Sequence, residues 1–290
     1  MRVTRRAAAL LASPISLLLL VGVIGPSLIL LVYSFYDFSL FELRPGFHLE
    51  WYHEIVTQAL YRTVLGNTLA IAAPVTLASV IGGYAIAYYI VFVAGRRRNL
   101  LVALVVISML ASYLARVYAW RTLMGDHGIV NSLLESMGVI DRPIGWLLFS
   151  RVPVVLAEIN LYMPITALIC FASLSGIQDD VREASRDLGA GRLQTLWRVT
   201  LPLSGVAIFG SLALCFFLSS GDYITPAFLG GPQTSQTFGT VIAAQVTTDG
   251  NYPLAAALSF AMVGMFLIYS TLIAGLMRGL RLLPRTGNLR

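Results

Sequence analysis

DDVREASRDLGAGRLQTLWRVTLP, residues 179–202, is a charged stretch set between two long apolar runs. Read as a helix capped by Asp179 or Asp180, it places Val181, Ala184, Ser185 and Leu188 at i, i+3, i+4 and i+7, a small and narrow face. Arg182, Glu183, Arg186 and Asp187 form the opposite face, and Gly189 falls where a helix end calls for a left-handed residue. Such a helix suits a cleft on a soluble partner, its small face permitting close approach and its charges pairing across the contact. A solvated amphipathic linker between two spans is the other reading of the same residues.

Outward from this stretch the chain reads as membrane. Hydrophobic residues make up 57% of the 290 and charged ones 12%, a balance foreign to soluble domains of this length. Six apolar runs, approximately Leu11–Val32, Leu65–Val93, Leu100–Trp120, Val152–Leu174, Val206–Phe228 and Leu254–Met277, each approach the ~20 residues a helical span needs. They predict an all-α membrane protein with six transmembrane helices. Residues 1–10 form its N-terminal segment, 11–277 the spanning domain with the loop at about 178–203, and 278–290 a C-terminal tail. The fifth run is interrupted near its far end by Gly221-Asp222 and Pro226. The first is too long for the apolar core of a secretion signal and lacks a small-x-small cleavage site after it, so it reads as a retained span.

Orientation follows from arginine, since the chain has no lysine. Fourteen of the twenty arginines fall on the side that carries both termini and the Glu183 loop, which the positive-inside rule assigns to the cytoplasm. Trp51, Trp120 and Trp146 fall near the opposite span ends, as an aromatic belt would. Topology accounts for the net charge of +6, and no nucleic-acid partner is called for. Without lysine the chain cannot hold nucleotide in a P-loop of its own, so any ATPase driving it is a separate polypeptide. The three histidines, His48, His53 and His127, lie in predicted outer loops, and the chain contains no His-Glu-x-x-His and no Gly-x-Ser-x-Gly; a transport subunit is expected, not an enzyme. Cys170 and Cys215 fall inside spans as small apolar residues, and no metal-ligand spacing occurs.

Three charges, Arg116, Glu158 and Asp222, lie at membrane depth, where ionisable groups mark ion pairs, proton relays or solute paths. Glu158 sits roughly 10 Å below the outer end of its span. One reading pairs Arg116 with Glu158 or Asp222 to hold spans in register. Another lines a path for a cationic solute, with Tyr162, Tyr223 and Trp120 offering aromatic faces. A proton-coupled carrier built on these charges is a third. The absence of an evident internal repeat and the presence of the Glu183 loop weigh against it.

Glu183-Ala184-Ser185, three residues, Gly189, nine residues, Val199, one residue and Leu201-Pro202 resemble the EAA loop of bacterial ABC importer permeases. Ser185 replaces the second Ala of that pattern and Val199 its Ile. The resemblance marks Glu183, Ala184, Ser185, Arg186, Leu188, Gly189, Leu201 and Pro202 as the set that couples to an ATPase. Two further segments, Ala115-Arg116-Val117-Tyr118-Ala119-Trp120 with Gly128-Ile129-Val130-Asn131, and Gly221-Asp222-Tyr223-Ile224-Thr225-Pro226 running into Leu229-Gly230-Gly231, look like signatures of the spermidine/putrescine importer permeases. The candidate pathway set is then Arg116, Tyr118, Trp120, Glu158, Tyr162, Asp222 and Tyr223. The resemblance implies the MetI-like permease fold in a bacterial inner membrane, surrounded by lipid, with a second homologous permease; the narrower signatures favour a heterodimer. It also implies two copies of an ABC ATPase, which hold ATP and Mg so that this chain binds no cofactor itself. An extracytoplasmic binding protein would deliver the solute, a polyamine such as putrescine or spermidine. Importers of ferric iron and phosphonates share parts of these signatures and stand as alternatives.

Overall fold

The computed structural model describes residues 18, 20–39 and 42–283. The predicted N-terminal segment 1–10, the start of the first apolar run and residues 284–290 of the tail lie outside the described residues.

The described chain is helical apart from one short hairpin. A π-helical turn at Leu20–Ile24 runs straight into α1 (Gly25–Tyr33), and this widened turn falls just before Pro26, whose ring and missing N–H interrupt a regular helical ladder. The hairpin, β1 (Asp37–Ser39) antiparallel to β2 (Glu42–Arg44), is the departure from the all-helical expectation. Then follow α2 (Glu50–Thr57), α3 (Ala59–Phe92), α4 (Arg98–Leu110), α5 (Tyr113–Met124), α6 (Ile129–Ser136) and α7 (Arg151–Ser175). Next are α8 (Asp179–Asp187), α9 (Arg192–Thr195), α10 (Gly205–Gly221), α11 (Ile224–Leu229), α12 (Phe238–Thr247) and α13 (Tyr252–Gly279).

Three of these, α3, α7 and α13, are single helices long and apolar enough to cross a bilayer. Two bent helix pairs are long and apolar enough only when taken together: Gly95–Leu110, which contains α4, meets the limb Tyr113–Ser136 at 87°, and Arg192–Leu203 meets α10 at 69°. The described residues thus hold three of the six expected spans, or five when each bent pair is taken as one; the first apolar run begins outside them. Of that run they include only an apolar helix, Leu20–Tyr33, which is shorter than the hydrocarbon core requires.

The bend in the third run corrects the expectation of one helix from Leu100 to Trp120. Neither Gly nor Pro marks it. Ala111 and Ser112 take extended ψ values of 135° and 133°, and the carbonyls this frees at the end of α4 are met by a side chain. The Arg116 guanidinium donates to the Ser108 carbonyl and, at 3.1 Å, to the Ala111 carbonyl, replacing the bonds that the next helical turn would have made. Arg116, Tyr118 and Trp120 thus stand on the turned limb instead of on a straight span. The interruption read at Gly221-Asp222 is where α10 ends.

Two compact units divide the chain. The described part of residues 1–62 joins 241–261; there Phe35 stacks on Phe47 at 4.6 Å, the Tyr52 hydroxyl donates to Ser34 Oγ and Trp51 Nε1 to the Tyr36 carbonyl. Residues 63–240 join 262–283. In this second unit a core of Ile71, Val75, Val117, Val154, Leu161 and Leu229 packs α3, α5, α7 and α11 together, and Ala87, Cys170 and Leu174 form a separate cluster between α3 and α7. Those two helices meet at Gly83, where an added Cβ would lie 2.7 Å from the Ala167 nitrogen, and Thr166 Oγ1 donates across to the Ser79 carbonyl at 2.7 Å.

Candidate functional site

Two groups of residues in the second unit carry chemistry: the helix α8 with the turns behind it, and a polar cluster around Asp222.

Helix α8 starts at Asp179 after Gln178, which makes no side-chain cap; Asp179 and Asp180 sit in the first turn and act through the helix dipole instead of as the expected caps. The helix closes in a Schellman arrangement, Ala190 N donating to the Ser185 carbonyl at 3.1 Å and Gly189 N to the Arg186 carbonyl at 2.8 Å, with Gly189 at φ +82°. The end read from the sequence is therefore the end observed. The faces differ from the expectation in one respect. Val181, Glu183, Ala184, Arg186 and Leu188 are exposed, Leu188 at 89%, whereas Ser185 and Arg182 turn toward the protein. Ser185 Oγ lies 3.1 Å from Thr195 Oγ1, and the Arg182 guanidinium lies 3.7 Å from the centre of the Phe92 ring. Small size at position 185 serves packing against α9.

Behind α9 a π-helical turn, Leu196–Thr200, leads to Leu201-Pro202 and to the 69° bend at Ser204. Leu201 packs on the cluster of Val80, Ile208, Leu212 and Met277, and Ser204 Oγ lies 3.1 Å from the Tyr84 hydroxyl. These contacts fix the second half of the loop to α3, α10 and α13. Leu201-Pro202 is thus an inward anchor, while Glu183 to Leu188 supply the outward surface.

Asp222, nearly buried, is the centre of the second group. Its Oδ1 accepts from Ile224 N at 2.9 Å and Thr225 N at 3.3 Å, as an N-cap of α11 does, and from the Tyr113 hydroxyl at 2.6 Å. Its Oδ2 accepts from Thr225 Oγ1 at 2.6 Å and from the Tyr162 hydroxyl at 3.5 Å. Glu158, one turn before Tyr162 on α7, is fully buried; Oε2 accepts from Ser219 Oγ and Oε1 has no hydrogen bond. Among the described residues neither carboxylate pairs with Arg116, whose guanidinium is taken by backbone carbonyls. Arg116 instead lines a pocket of about 170 Å³ with Tyr113, Tyr162, Met109, Ala111, Leu161 and Ile165.

The cluster thus brings together Glu158, Tyr162 and Asp222 and leaves Tyr118, Trp120 and Tyr223 apart. Tyr118 is exposed and meets Phe228 edge-on at 5.2 Å, Trp120 packs against the core, and Tyr223 is exposed. Tyr113, Ser219 and Thr225 belong to the cluster and were not singled out from the sequence. Thr225 carried a signal, Asp-x-x-Thr at a helix start; Tyr113 carried none, because only the bend at Ser112 aims it at Asp222.

The fold and these groups define a helical membrane permease with a largely exposed, charged helix, α8, between two of its apolar segments. The profile of the binding-protein-dependent transport system inner membrane components matches residues 79–282, and the chain belongs to that family. It is 29% identical to the spermidine/putrescine transport system permease protein PotB of Haemophilus influenzae over 226 residues, 78% of this chain and 77% of the relative. It is 28% identical to the inner membrane ABC transporter permease protein YdcU of Escherichia coli over 82% of this chain and 78% of that one. A bacterial alginate ABC transporter, crystallised in complex with an alginate pentasaccharide-bound periplasmic protein, contains a chain of the same fold, with TM-score 0.76, 18% identity and 96% of both chains covered.

Proposed function

We propose that this permease forms one half of the path of an ATP-driven importer for polyamines such as putrescine or spermidine. α8 seats on a separate ATPase in the cytoplasm. The single observation carrying the docking assignment is the surface of α8, which holds Leu188 and Val181 in the open beside Glu183 and Arg186 and is closed by Gly189 at φ +82°. Val181 and Leu188, seven residues apart and so on one face of the helix, with charges around them, suit a contact with a partner protein. The polyamine assignment draws its support from relatives named for spermidine and putrescine that match over three quarters of both chains. Two ATPase copies holding ATP and Mg, a second and different permease, and an extracytoplasmic binding protein complete the complex. Both termini lie with α8 on the cytoplasmic side, in accord with the arginine distribution. ATP binding draws the ATPases together, α8 is displaced, and the spans rock between inward-open and outward-open states.

Glu158, fully buried in this conformation, is the carboxyl suited to meet an amine once rocking opens the cluster, since one of its oxygens is uncommitted, whereas Asp222 is saturated by five hydrogen bonds. The test is uptake into proteoliposomes holding the purified complex, with labelled putrescine, spermidine, a phosphonate and ferric iron offered in turn. Uptake of the polyamines alone, dependent on ATP and insensitive to a proton uncoupler, is the expected result. Phosphonate or iron uptake would reassign the solute. Uptake abolished by the uncoupler and indifferent to ATP would replace the importer with a proton-coupled carrier.

A further inference from the structure

The docking helix is joined by the chain to α7 on one side and to α9 on the other, yet rocking requires that its displacement reach α3 as well. One side chain of α8 makes that connection. Arg182 leaves the charged face, is only 12% exposed, and lies with its guanidinium carbon 3.7 Å from the ring centre of Phe92, the last residue of α3. Its Nε makes no hydrogen bond and its Nη1 stands 3.4 Å from Asp179 Oδ1, so the guanidinium is committed to the ring face and to its own helix. Phe92 is held in turn, edge-on to Tyr88 at 4.9 Å and packed on the cluster of Ala87, Cys170 and Leu174 that joins α3 to α7. A second arginine repeats the device nearby: Arg98, at the start of α4, lies 5.1 Å from the Phe171 ring of α7 and donates to Ser175 Oγ at 2.8 Å. A cation–π contact resists shear as well as separation, because sliding takes the cation off the ring's negative face.

We propose that Arg182, laid on Phe92, is the positioning residue through which α8 drives α3, so that α3, α7 and α8 move as one body. This rests on the docking assignment above. A guanidinium suits the contact better than an ammonium, being planar and more weakly hydrated. The contact touches neither ATP nor solute; its loss is read in the ratio of transport to hydrolysis.

The experiment uses the whole complex in liposomes, with ATP hydrolysis and uptake measured in the same vesicles. Arg182→Gln and Phe92→Leu are expected to retain the ATPase and its hydrolysis while uptake per ATP falls by about tenfold, the double variant no worse than either single one, and Phe92→Trp close to the parent. The paired variant Arg182→Cys with Phe92→Cys, made with Cys170→Ala and Cys215→Ala, should be uncoupled until a short bis-maleimide bridges it, and coupled afterward. Unchanged uptake per ATP in both single variants overturns the proposal. So does loss of assembly in both, or a bridge that fails to restore transport. A parent complex that brings down no ATPase removes the docking assignment and the proposal with it, whereas a coupled parent beside coupled variants removes the proposal alone.

Discussion

Asp222 and Glu158 belong to the same buried cluster, bonded by different hydroxyls, and are expected to answer differently to substitution. Asp222 caps α11 and accepts from two tyrosines and a threonine, so Asp222→Ala leaves buried donors without an acceptor and a helix without its cap. The cost is about 2–4 kcal/mol, read as a lowered melting temperature in detergent. Asp222→Asn keeps one capping oxygen and costs less. Glu158→Gln keeps the volume and an acceptor for Ser219 but removes the charge. It is expected to leave the melting temperature within a degree or two of the parent and to cut polyamine uptake about tenfold or more. Equal uptake per assembled complex in Glu158→Gln and the parent would take Glu158 out of the path.

At the scale of the element, α8 and the α3–α7 pair depend on two glycines for different reasons. At Gly189 an added Cβ would meet open space, so the obstacle is the backbone angle alone. Gly189→Val is therefore expected to fray the end of α8 at about 1–2 kcal/mol and to lower uptake without lowering the amount of protein in the membrane, and Gly189→Asn to restore most of it. Normal uptake by Gly189→Val would disconnect the helix end from coupling. At Gly83 the obstacle is α7 itself, since the Cβ runs into Ala167 and Thr166. Gly83→Val forces the two helices apart and is expected to reduce the yield of folded protein, measured by size-exclusion chromatography after solubilisation.

For the molecule as a whole, the orientation carries its own prediction. A cysteine placed at the exposed Glu183 or Arg186, with Cys170 and Cys215 removed, should react with an impermeant maleimide in inside-out vesicles and not in right-side-out cells. Bound ATPase should protect it several-fold. Labelling from the outside would invert the topology and separate α8 from any cytoplasmic partner.

Composition and the spacing of apolar residues were enough to establish a helical membrane protein, because a span must satisfy its own backbone and bury apolar side chains in lipid, both local properties of the sequence. The charged helix 179–187 and its stop at Gly189 were legible for the same reason: helix periodicity and a left-handed glycine act within one turn. The partners of Arg116, Arg182 and Asp222 were not. The 87° bend at Ala111-Ser112 has no Gly or Pro to announce it and is sustained by Arg116 reaching back to carbonyls of α4. That bend carries Tyr113 onto Asp222, and the packing of α3 against α7 brings Phe92 under Arg182. Residues about 90 and 110 positions apart meet only because the helices between them have folded. Which charge faces solvent, which caps a helix and which lies on an aromatic ring was therefore decided by tertiary structure, where long-range proximity and burial set the cost of leaving a polar group alone.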